Sequence, residues 1–221
     1  MNLYSKLGRF LESYRSHLLA GIFVAEMLIS PAVDYRPHVG ALLAAGMWLV
    51  VILAVRYMAG RSLVRFAILP LAAVWVAARL LEAFGDGTHF YSRMAPVAGL
   101  ALSFALLWGI SERRKQVSPG EAIAESFIAY LLIATMFAQV YWIFNHFVAQ
   151  PFNEVIAPHQ MSTLLYFSMV TISTVGYGHI VAINPYVRMI AAFESITGVF
   201  YLAVVVARLV AAYESSRPGG K

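Results

Sequence analysis

Long apolar runs separated by short polar stretches dominate the chain. Six of them cover about 18–33, 39–57, 63–84, 94–110, 122–147 and 186–212. A helix that crosses a bilayer needs roughly 20 predominantly apolar residues, so these runs predict six transmembrane helices. The breaks carry turn chemistry: Asp34-Tyr35-Arg36-Pro37, Gly60-Arg61-Ser62, Gly85-Asp86-Gly87-Thr88 and Ser118-Pro119-Gly120. Pro70 sits inside the third run, where a proline predicts a kink. Ahead of the first run, Leu3, Leu7, Phe10, Leu11, Tyr14 and Leu18 recur at helical spacing, with Lys6, Arg9 and Arg15 between them. That pattern predicts an amphipathic helix lying on the membrane surface over 1–17. It lacks the unbroken apolar core and small-residue cleavage site of a secretory leader.

One apolar run is too short for this scheme. Met161 to Ile172 would make only about 18 Å of helix. It follows two turn-like stretches, Gln150-Pro151-Phe152-Asn153-Glu154 and Ala157-Pro158-His159. A run of this length predicts a re-entrant segment that enters the membrane and turns back. Ser162 or Thr163 is its expected N-cap.

Composition supports the membrane reading. The chain is 61% hydrophobic and 12% charged, with a mean hydropathy of +0.73. An ordinary soluble domain is about a quarter charged. A disordered chain is excluded. Cysteine is absent, which removes disulfides, thiol catalysis and cysteine-ligated metals. The net charge of +5 does not imply a nucleic-acid partner, because the basic residues sit beside the ends of the apolar runs. With the N-terminus cytoplasmic, twelve Lys and Arg fall inside and four outside (Arg36, Arg79, Arg93, Arg188). Both termini are therefore expected in the cytoplasm of a multi-pass cell-membrane protein.

The candidate chemistry follows the short run, in Ser173-Thr174-Val175-Gly176-Tyr177-Gly178. A dehydrated cation needs close oxygens in place of its water. Consecutive backbone carbonyls supply them if all point one way, which requires residues of positive φ. Gly176 and Gly178 adopt such angles cheaply, and the Thr174 hydroxyl can add the innermost ligand. One strip of chain cannot surround an ion, so four copies would have to meet on an axis. Irregular backbone at membrane depth is tolerated only when buried in protein or lining a cavity. The short helix would aim its negative C-terminal end at that cavity, favouring a cation.

Residues 122–212 resemble the pore module of tetrameric potassium channels: outer helix, pore helix, selectivity filter, inner helix. The resemblance rests on Thr174-Val175-Gly176-Tyr177-Gly178, with a short apolar helix before it and a long one after. It implies a homotetramer that conducts potassium ions passively, held at Thr174, Val175, Gly176 and Tyr177. No organic cofactor, nucleic acid or catalysis is implied. The fold class is then an all-α membrane protein with six transmembrane helices plus a re-entrant pore helix and selectivity-filter loop.

The chain departs from the family pattern in places. Most relatives follow the second glycine with aspartate, whereas this chain has His179. Histidine changes charge between about pH 5 and 8. His179 is therefore a candidate for external pH sensing at the outer mouth, the alternative being a hydrogen bond behind the filter. Tyr166-Phe167 stands where many relatives have paired tryptophans, and Val170 where some bacterial members carry glutamate, so support of the filter must rest on other pairs. Gly198, midway along the last run, resembles the family's gating hinge; close helix packing explains it equally well. Glu194 lies one turn above it, and an acid within a membrane helix is a functional candidate that either lines the pore or buttresses the filter.

The first four runs predict a voltage-sensor-like bundle over 18–112. Its fourth run, 94–110, has no internal charge, so voltage sensing is not expected. Arg56, Arg61 and Arg65 cluster at a cytoplasmic junction and read as topology anchors. Glu26, Arg79 and Glu82 are either interior ion pairs or interfacial groups. A basic linker, 113–121, carries Arg113, Arg114 and Lys115, which can contact anionic lipid headgroups. The pore unit occupies 122–212 and a short cytoplasmic tail 213–221. Competing classes are a less selective cation channel, a non-conducting regulatory subunit, and a membrane enzyme using His146, His159, Glu154 or His179. No metal-binding or nucleophile motif supports the enzyme.

Overall fold

The computed structural model describes residues 17, 19–25, 27–31, 68, 70–78, 89–113, 119–157 and 160–215. The expected surface helix over 1–17 except its last residue, all of the second run, and Glu26, Arg56, Arg61, Arg65, Arg79, Glu82, Arg114 and Lys115 lie outside the described residues.

Among the described residues four complete helices are present: α1 (His89–Arg113), α2 (Pro119–Phe147), α3 (Met161–Ile172) and α4 (Pro185–Ser215). No strand occurs among the described residues, apart from an isolated antiparallel bridge between Phe152 and Ala182. α2 and α4 are long and apolar enough to cross a membrane. At 29 and 31 residues they extend about 43 and 46 Å, against a hydrocarbon core of about 30 Å. α3 has 12 residues and cannot span.

The helices overrun the apolar runs at their ends, because a terminal turn needs no apolar side chains. Pro119 and Gly120, which the sequence places in the polar linker, open α2. Proline is well suited to a first turn, where its missing N–H costs nothing. The N-cap of α3 also differs from expectation. It is Gln160, without a side-chain cap, and Ser162 and Thr163 lie inside the helix. Gln160 instead closes a local turn: its Oε1 accepts from the Ala157 N–H at 3.0 Å, and its own N–H donates to the Ala157 carbonyl at 2.9 Å.

Two apolar cores flank α2. One joins Leu19, Phe23, Ile68, Ala72 and Trp75 to Leu102, Leu106 and Ile110 of α1 and to Ile128, Leu131 and Leu132 of α2. The second gathers Tyr141 and Trp142 of α2, Phe152 and Ile156 of the following loop, Leu164 and Phe167 of α3, Ile180, Ala182 and Val187. α2 is thus the wall between an N-terminal helical layer and the unit formed by α3, α4 and the chain between them. Gly99 of α1 lets α2 approach, since a Cβ there would fall within 2.6 Å of Gln139 Nε2.

The two long helices differ sharply in cover. Half of the most apolar window of α2 is buried, but only 11% of that of α4. Phe193, Ile196, Val199, Phe200 and Val206 of α4 are each more than half exposed.

Candidate functional site

Residues 173–178 leave α3 as an exposed strip of backbone. Its first amides turn back onto the last turn of α3. Ser173 N–H donates to Met169 O at 3.2 Å and Thr174 N–H to Thr171 O at 3.0 Å. Val170 O accepts from both Val175 N–H, at 3.0 Å, and Gly176 N–H, at 3.3 Å. Among the described residues, no backbone donor reaches the carbonyls of Thr174, Val175, Gly176 or Tyr177. Val170 therefore supports the strip through its carbonyl, which its side chain does not advertise.

Positive φ recurs at every second residue: 59° at Thr174, 55° at Gly176 and 81° at Gly178. Alternation of positive and negative φ can turn successive carbonyls to one side. The glycines behave as the sequence predicts. At Gly176 no atom lies within 4 Å of where a Cβ would stand, so conformation rather than space requires glycine. Thr174 is the unforeseen member. A β-branched residue in the left-handed region carries strain of about 1–3 kcal/mol, which persists only where its surroundings enforce it.

The base of the strip is held by α2 and α4. Tyr130 Oη donates to the Ile172 carbonyl at 3.1 Å, and Ser195 Oγ to the Thr171 carbonyl at 3.2 Å. α4 crosses this point at Gly198, where any Cβ would collide with the Ile172 carbonyl. Close packing thus accounts for Gly198. The rings of Tyr130 and Tyr201 are 5.6 Å apart, and Tyr201 Oη donates to Ser126 O at 2.7 Å.

A buried polar cluster lies one layer higher. Tyr141 Oη donates to Glu194 Oε2 at 2.6 Å. Ser168 Oγ contacts both Glu194 Oε1 and the Ala134 carbonyl. Glu194 and Ser168 have no exposed surface. Glu194 therefore joins α2, α3 and α4 behind the strip, and it faces protein rather than an open surface. Phe167 packs edge-on against Tyr141 and Phe152, at 5.0 and 5.1 Å. Tyr166 points elsewhere, its ring 5.3 Å from that of His179. The aromatic pair thus supports two different neighbours.

Beyond Gly178 the chain is tied to the loop after α2. Asn153 Nδ2 donates to the His179 carbonyl at 2.8 Å, and its Oδ1 accepts from Val181 N–H at 2.7 Å. Asn153 N–H donates to Val181 O at 2.9 Å, and Ile183 N–H to Pro151 O at 3.0 Å. Tyr130, Tyr141, Ser168 and Asn153 were not singled out by sequence reasoning. His146 stacks on Trp142 at 3.7 Å, apart from the strip. No cluster of three metal-ligating side chains occurs among the described residues.

Residues 125–215 match the ion channel family, a segment running from early α2 to the end of α4. This is the part of the chain that carries the strip and all of its supports. No curated protein and no solved structure matches the chain.

Proposed function

We propose that the protein is a potassium-selective channel of the cell membrane. Four copies bring Thr174, Val175, Gly176, Tyr177 and Gly178 together, and main-chain oxygens replace the hydration of the passing ion. The observation that carries this reading is the strip itself: φ positive at every second residue, with carbonyls that no backbone donor among the described residues reaches. The exposure of Val175 and Tyr177 in one copy, 54% and 72%, suits a wall of a pore that other copies complete. Flux is passive, and no catalytic step is assigned. α2 serves as the outer helix, α3 as the re-entrant pore helix and α4 as the inner helix. The segment before α2 forms the remaining spans, with both termini cytoplasmic.

The test is reconstitution of purified protein in liposomes, with potassium and sodium flux measured separately. Potassium flux that barium blocks, with little sodium flux, is the expected result. Equal flux of the two ions would support a less selective cation channel. No flux from a stable assembly would support a regulatory subunit.

A further inference from the structure

We infer that Asn153, in the loop after α2, is the positioning residue that fixes the outer end of the ion pathway. This rests on the channel reading above. His179 is the first residue beyond the conducting strip, so whatever holds its carbonyl holds the exit of the strip.

The Asn153 amide does this from both of its atoms. Nδ2 donates to His179 O at 2.8 Å, and Oδ1 accepts from Val181 N–H at 2.7 Å. The Asn153 backbone adds a third bond, to Val181 O at 2.9 Å. A planar amide that donates and accepts toward the same short stretch fixes both its position and its rotation, as one hydrogen bond cannot. The platform beneath Asn153 is firm. Phe152 is 2% exposed, lies 6.0 Å from the Tyr141 ring and 5.1 Å from the Phe167 ring, and pairs with Ala182 in the antiparallel bridge. Asn145 Nδ2 donates to Ile156 O at 2.9 Å, closing the loop onto α2. The loop is therefore a splint between the outer end of α2 and the exit. No other side chain makes a hydrogen bond to residues 178–182 among those described.

The side chain of Asn153 is exposed and touches no conducting oxygen, so its removal leaves the strip's own contacts intact. The effect falls on the balance between an ordered exit and a distorted one. An ion occupying the outermost position favours the ordered form by mass action. Flux through Asn153→Ala should therefore decay during sustained conduction at low external potassium and recover at high external potassium. Loss of one or two hydrogen bonds predicts a decay about tenfold faster than wild type. Asn153→Asp keeps the acceptor for Val181 but sets an oxygen against the His179 carbonyl, so it should decay at least as fast as the alanine variant. Glu154→Ala, one residue on and exposed, should behave as wild type.

The experiment compares these liposome flux time courses at low and high external potassium. It is paired with hydrogen exchange of the peptide covering 179–183 in wild type and Asn153→Ala. Faster decay that external potassium rescues, together with faster exchange, supports the proposal. Unchanged decay and exchange in both Asn153 variants overturns it, as does failure of both variants to assemble, which would make the residue merely structural. If the wild type carries no potassium, the channel reading fails instead, and the exchange comparison still decides whether Asn153 holds the exit.

Discussion

Glu194, Gly198 and Tyr201 share one face of α4, at spacings of four and three residues, and each meets a different support of the strip. Their substitutions have distinct signatures. Alanine at Gly198 adds helix propensity of about 1 kcal/mol but drives a Cβ into a backbone carbonyl. Overpacking of that kind costs about 1–3 kcal/mol. Gly198→Ala should therefore lower the melting temperature of the purified assembly. A residue that served only as a flexible point would raise it. At Glu194, glutamine keeps a hydrogen-bonding group of the same shape, whereas leucine strands the Tyr141 hydroxyl in a buried layer and leaves Ser168 with the Ala134 carbonyl alone. The stranded hydroxyl costs about 1–3 kcal/mol. The melting temperature should fall in the order wild type, Glu194→Gln, Glu194→Leu, and a leucine variant as stable as the glutamine one would refute the cluster's role. Gly176→Ala meets no steric obstacle, yet must hold a φ of 55°. The left-handed conformation costs about 1–2 kcal/mol, so the assembly should survive while potassium-over-sodium discrimination falls in ion-flux assays.

The individual helices explain why some of this was legible and some not. α3 was readable to the residue, because an apolar segment bounded by turns leaves little choice of limits. Its cap was misplaced, because Gln160 satisfies the loop before it rather than the helix after it. In α2, Tyr130, Phe137 and Tyr141 form a stripe at spacings of seven and four residues, so the facing side was present in the chain but masked by a uniformly apolar background. The left-handed Thr174 could not be foreseen, since nothing in threonine's own preferences favours it; its neighbours impose it. Asn153 was hidden for another reason: its partners are carbonyls and amides 26 and 28 positions away, and backbone groups leave no trace in the residue types. At this scale, Tyr130→Phe should remove one hydrogen bond to Ile172 and lower the melting temperature by the equivalent of about 1 kcal/mol, measured by thermal unfolding in detergent.

For the molecule as a whole, the voltage response turns on α1, whose stretch from Met94 to Ile110 lacks Lys, Arg, Asp and Glu. One elementary charge crossing 100 mV is worth about 2.3 kcal/mol, and a helix without internal charges contributes none of that energy. Reconstituted flux should therefore follow the electrochemical driving force across voltages, without a threshold. The N-terminal layer is nonetheless in direct touch with the helix that holds the base of the strip. Leu131 sits in the core shared with α1, and the adjacent Tyr130 reaches the Ile172 carbonyl. Consecutive positions of one rigid helix thus face two compartments. Because no loop lies between them to absorb a displacement, a shift of the N-terminal layer is passed directly to the Ile172 carbonyl at the base of the strip.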